Sequence, residues 1–204
     1  MAKMPAPTKG NLMAAKNTLK LSEQGYEMLD KKRNILIREM MSLIDEAKTI
    51  ENDIEDTFRV AYAALESANV MMGCDKVYNI AHSEALEESV QINLRSVMGV
   101  ELPVVKLGSE QLQPTYSFYE TTSAFDEAFV RFLMVKELSV RLAEIENSVY
   151  RLAINIKKTQ KRANALKNIT IPFYNEVVRS ITNSLEEKDR EEHTRMKMLK
   201  KNKE

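Results

Sequence analysis

A chain of 204 residues with 30 Lys and Arg against 30 Asp and Glu has no net charge with which to hold a nucleic acid by bulk electrostatics. Five glycines, five prolines, no tryptophan and 29% charged residues favour long helices over sheets. No run approaches the ~20 apolar residues of a membrane span, and MAKMPAPTKG lacks the apolar core of a secretion signal.

The single cysteine, Cys74, excludes an intramolecular disulfide and fits a reducing compartment, so a soluble, intracellular protein is expected. With no cation beside it in sequence, Cys74 reads as a structural thiol. Twelve methionines suit adaptable packing along imperfect seams.

Pro5, Pro7 and Gly10 keep the first residues out of helix, and Thr8 or Asn11 can cap the helix that follows. Leu12, Ala15, Leu19, Ser22, Tyr26, Leu29, Arg33, Leu36, Met40, Leu43, Ala47, Ile50, Ile54, Thr57, Ala61, Ala64 and Ala68 then fall on alternating steps of three and four. This is a heptad seam, broken only by Ser22, Arg33 and Thr57. Holding such a seam in register requires a supercoil with a partner helix. At ~1.5 Å per residue the stretch spans about 85 Å, too long to bury its stripe against itself. Gly25 is the one interior glycine, explained equally by a close backbone approach or a tolerated defect. Gly73 is a plausible C′ residue.

The middle is acidic. Between Val77 and Val130, eight acids (Glu84, Glu87, Glu88, Glu101, Glu110, Glu120, Asp126, Glu127) face two bases (Arg95, Lys106), a net of −6. Residues 81–88 suit a short helix. Val90, Ile92 and Leu94 alternate with polar residues at the strand period, and Val100, Leu102, Val104 and Val105 follow Gly99, which predicts a hairpin over 89–106. Pro103 puts its strand at an edge. Residues 108–123 read as loop.

After Phe125 the heptads return at Ala128, Val135, Leu138, Leu142, Ile145, Val149, Leu152, Ile156, Thr159, Ala163 and Leu166, the missing partner for the first seam. Pro172 interrupts the pattern and is expected to bend the helix. Tyr174, Val178, Ile181 and Leu185 then resume an apolar face before a charged tail. The fold expected is mainly α: a long antiparallel two-helix coiled coil with a small β-hairpin-containing insert at the turn end. Its parts are an N-terminal extension over 1–10, a first long helix over 11–72, an insert over 73–123 and a second long helix over 124–204.

No acid lies between Glu146 and Glu176, while Arg151, Lys157, Lys158, Lys161, Arg162 and Lys167 do. This basic collar is either a solvated flank or a surface for acidic partners. Nucleic acid is disfavoured, because no aromatic residues interleave the bases. His82 and His193 lie far apart and read as surface residues, and neither HExxH nor CxxC occurs. Glycines are scattered singly, so no phosphate loop is present. The adjacent pairs Glu87–Glu88 and Glu186–Glu187 point to different helix faces. No catalytic residue, cofactor or metal ligand is therefore assigned.

The stretch TQKRANALKNITIPF, residues 159–173, resembles the signature of the D subunit of the V-type and archaeal-type (A-type) rotary ATPases. PTKGNL near the start, LDKKRNIL over 29–36, SVMGVELP over 96–103 and the charged LEEKDREEHTRMK near the end follow in the family's order. Lys161 stands where the family commonly has arginine, and Ala163 where valine is usual. The resemblance implies a non-catalytic coiled-coil shaft of the central stalk, cytoplasmic and peripheral to the membrane without inserting into it. Its two chain ends enter the soluble ring of catalytic and regulatory subunits. The small F subunit binds it, and a funnel-shaped subunit capping the membrane rotor seats it. ATP hydrolysis then turns the shaft to drive protons or sodium ions, or an ion gradient turns it to make ATP. The partner-interface candidates are Lys161, Arg162, Arg195, Lys197, Lys200 and Lys201. The alternative from another class is a coiled-coil chaperone or export-apparatus stalk of prefoldin-like type.

Overall fold

The computed structural model describes residues 5–83, 90–108, 116–119 and 121–201. Its elements are α1 (Lys9–Met72), α2 (Cys74–Ser83), β1 (Gln91–Val97), β2 (Val100–Lys106), α3 (Ser123–Ala165), a π-helical turn (Leu166–Thr170) and α4 (Ile171–Lys201). The fold is mainly α, a helical hairpin with a two-stranded antiparallel insert. It divides into two compact units: the chain up to Ile35 with that from Ile156 onward, and Leu36–Asn155.

In the first unit α1 starts on a side-chain cap. Thr8 Oγ1 accepts the Asn11 N–H at 3.2 Å, and the Asn11 amide donates to Ala6 O at 2.8 Å. That satisfies backbone groups a bare helix start leaves orphaned. Ala15, Val177 and Ile181 form a buried cluster, closed over by Leu12, Phe173, Tyr174, Val178 and Leu185. Two of the expected seam breaks are accommodated here. Ser22 turns its hydroxyl back onto Thr18 O at 2.7 Å, which removes the cost of burying it. The half-buried Arg33 donates to Gln160 Oε1 at 2.8 Å and pairs with Asp30 at 2.6 Å. A β-carbon at Gly25 would sit 3.7 Å from Leu166 Cδ1, an ordinary contact, so the backbone is not forced close at this glycine.

Pro172 perturbs the helix through its neighbours. The Ile171 N–H reaches Leu166 O, five residues back, and Thr170 Oγ1 lies 3.5 Å from Ala165 O. Proline offers no N–H, and its ring would clash with the carbonyl four residues earlier. The single wide turn opens the ladder just before that clash, and α4 continues.

In the second unit Leu36, Ile50, Ala61 and Ala68 of α1 and Ala128, Val135, Ile145 and Leu152 of α3 supply the buried side chains. The third seam break, Thr57, bonds back to Asp53 O at 2.6 Å. The phase differs from expectation at one step, where Ser148 is buried and Val149 only half-buried. Arg141 joins the two helices, 2.8 Å from Glu46 and 3.4 Å from Glu144. The hydrogen bond that Arg141 donates to Glu46 holds its guanidinium above its ordinary pKa, against the opposing pull of partial burial, with the Glu144 charge adding to the rise.

Gly73, at φ +88°, donates its N–H to Asn69 O and ends α1. The next helix begins at once, as Val77 N–H reaches Gly73 O at 3.3 Å. A short helix expected over 81–88 therefore starts earlier, as α2, and residues 84–88 lie outside those described. So do 109–115 and 120 of the expected loop. Ala68, Val77 and Phe125 form a second cluster with Leu65, Met72, Ile80 and Tyr116. Tyr116 meets Phe125 and Phe129 edge-on and donates its hydroxyl to Asp126 at 2.8 Å. In the hairpin Val97 pairs with Val100 across Met98 (φ 50°) and Gly99 (φ 74°). Left-handed geometry at both loop residues matches the twist of the strands.

Candidate partner interfaces

The acid-free stretch places Lys157, Lys158, Lys161 and Arg162 on the exposed side of α3, in the first unit. Among the described residues none of the four takes part in an ion pair or side-chain hydrogen bond. Lys167, on the π turn, lies over the Tyr26 ring at 5.7 Å. The four charges on α3 therefore stand without internal partners, facing solvent.

The α4 tail is exposed throughout. Arg190 pairs with Glu187 at 3.6 Å, and Arg195 with Glu191 at 3.7 Å, one turn back on the same helix. Arg195 is thus internally engaged, whereas Lys197 and Lys200 are exposed. Lys201 ends the helix, and its side chain lies outside those described, as do Lys3 and Lys203. Beside these charges Met196, Met198 and Leu199 are also exposed, an apolar component that charge counting missed.

In the second unit Tyr62, Leu65, Glu66, Asn69, Val70 and Cys74 line a shallow surface pocket. Cys74, expected to be a structural thiol, is exposed at the start of α2. His82 is exposed and stacks on Tyr78 at 5.8 Å, and His193 is exposed on α4. Among the described residues no group of three or more His, Cys, Asp and Glu could hold a metal ion, and no helix is long and apolar enough to cross a membrane. Tyr62, Val70, Met71 and Tyr78 are exposed as well. They escaped the sequence reading because they lie off the heptad positions, where isolated apolar residues look like ordinary surface.

Together these features define a mainly helical protein, with paired helices, a small sheet packed on them, and charged and apolar faces turned outward. The family model of the ATP synthase D subunit matches residues 11–201, and the chain belongs to that family. It is 43% identical over 195 residues to the V-type ATP synthase D subunit of Thermotoga neapolitana, covering 96% of each chain. It is 34% identical over 197 residues to the A-type ATP synthase D subunit of Pyrococcus furiosus, covering 95% of this chain and 92% of the other. The A-type ATP synthase D subunit of Methanobrevibacter smithii is also 34% identical, with 95% and 85% covered.

Proposed function

We propose that this chain is the central-stalk rotor subunit of a V-type or A-type ATPase, transmitting torque between the ATP-hydrolysing or ATP-synthesising ring and the membrane ion-translocating rotor. The observation that carries the reading is the pairing of unlike helices in both units within a chain of the D-subunit family. Torque needs stiffness, and interlocked side chains resist shear because packed interiors have little free volume. It also needs asymmetry, so that catalytic sites around the axle meet different faces at one moment. Two helices of unrelated sequence, one of them widened by the π turn, provide it.

The chain itself is non-catalytic in this reading, which rests on a sequence without a Gly-rich phosphate loop or converging acid and base. Its partners are the F subunit, the catalytic and regulatory subunits of the soluble ring, and the funnel-shaped subunit that caps the membrane rotor. It works on the cytoplasmic side, peripheral to the membrane. Lys161 and Arg162, with Lys197, Lys200, Lys201 and Arg195, serve acidic surfaces of those partners. The chaperone or export-stalk alternative has no support from the family match.

The exposed Cys74 is the one cysteine of the chain and gives a handle for the test. In a rebuilt complex anchored by its ring, a probe on Cys74 is expected to rotate in steps when ATP is added. Continued hydrolysis with a stationary probe would overturn the rotor reading.

A further inference from the structure

The two edges of the hairpin are treated differently. On β2, the Val105 N–H donates to Glu144 Oε2 at 3.0 Å and the Glu101 carbonyl accepts from Arg151 at 3.1 Å. Both backbone groups therefore point away from β1, toward α3. Residues opposite each other in an antiparallel ladder turn their backbone groups the same way, either both inward or both outward. Glu101 faces Ser96, Pro103 faces Leu94 and Val105 faces Ile92. Pro103 fits this phase, since its missing N–H falls on the outward side and the ladder loses nothing. Ile92, Leu94 and Ser96 must then turn their N–H and C=O groups outward from β1. Among the described residues these groups have no partner.

Proteins guard such edges with lysine, proline, a bulge or a covering element. β2 has Pro103, Lys106 and the α3 side chains. Among the described residues β1 has none of these, and its one base, Arg95, is held by Glu39 at 2.7 Å. Ile92 is instead 68% exposed and Leu94 59%. We propose that the outer edge of β1 is a strand-addition site, filled by an extended basic segment of a neighbouring subunit. Main-chain bonds to Ile92, Leu94 and Ser96 hold it, and its alternate apolar side chains cover Ile92 and Leu94. The basic character follows from the −6 net charge of the sequence between Val77 and Val130. A second copy of this chain would set acid against acid. The inference rests on the reading of the chain as a subunit of a larger complex.

Amide hydrogen exchange of the full chain, alone and in the rebuilt ATPase complex, provides the test. The Ile92, Leu94 and Ser96 amides exchange fast in the isolated chain and are expected to slow at least about tenfold on assembly, the scale of one secured backbone hydrogen bond. Leu94→Pro removes one outward N–H and leaves the β1–β2 ladder intact. It is expected to reverse the protection at Ile92 and Ser96 without changing the circular dichroism of the chain. Assembly with unchanged exchange at all three amides would overturn strand addition alone. Failure of the chain to enter the complex would overturn the subunit reading and this inference with it. Self-association of the isolated chain that Leu94→Pro abolishes would identify a second copy as the occupant and overturn the basic segment.

Discussion

Side chains at seam positions carry unequal shares of stability, and their burial says which. Leu36 and Leu152 are fully buried, whereas Leu43 and Leu142 are half-buried. Leu152→Ala should therefore cost roughly 2–5 kcal/mol, the range for a leucine deletion that leaves a cavity. Leu142→Asp also destabilises, by less than a charge at Leu152 would, because its carboxylate can reach water. Thermal unfolding of the variants side by side checks the order. Gly25→Ala moves the other way. The new methyl meets Leu166 at an ordinary distance, and alanine gains about 1 kcal/mol of helix propensity, so the melting temperature should rise. Arg141 stays charged below its raised pKa, so the contribution of its contacts with Glu46 and Glu144 is not lost through arginine deprotonation at neutral pH. At this half-exposed site Arg141→Gln should cost no more than about 1 kcal/mol, with the loss fading in high salt.

At the scale of elements, the π turn falls immediately before Pro172, where a regular ladder would set the ring against a carbonyl. An interior proline normally costs ~3 kcal/mol, but Pro172→Ala should change stability by less than about 1 kcal/mol, because the bulge has removed most of that cost. Chemical denaturation of the two proteins decides it. Heptad spacing was legible in the sequence because a 3.5-residue period states which face is buried, and neither seam has an exposed member. Pro172 announced a disturbance, but a kink and a wide turn both relieve the same clash, and local sequence does not choose between them. The hairpin followed from alternation and Gly99. Its covered edge did not, because Glu144 lies 39 residues from Val105 and Arg151 lies 50 from Glu101. The early start of α2 was hidden by Gly73, whose positive φ serves equally to end a helix or to turn directly into the next one. The basic collar was visible as a stretch without acids. The exposed Met196, Met198 and Leu199 were not, being scattered among charges that suggest only solvation.

At the scale of the molecule, the first unit holds both chain ends and the basic collar from Lys157 onward, and the second holds Arg151 and the acidic insert with its open strand. We propose a division of labour between them, in keeping with the rotor reading. In this proposal the first unit, with Lys161, Arg162, Lys197 and Lys200 exposed, serves the catalytic and regulatory ring. The second unit would serve the junction with the membrane rotor. Single exposed charges contribute roughly 0–1 kcal/mol each, so neutralising one of them should barely alter assembly. Deleting residues 196–204 removes Lys197, Lys200 and Lys201 together with the exposed Met196, Met198 and Leu199. That deletion is expected to weaken coupling or assembly with the ring while the F subunit still binds. Deleting residues 89–106 should leave ring entry intact and disturb attachment to the membrane rotor or its regulation. Pull-downs of each truncated chain against separate partners, with ATPase assays of the rebuilt complex, distinguish the two effects. Loss of F-subunit binding on removal of the tail, or loss of ring entry on removal of the hairpin, would show that the two units do not divide the work in this way.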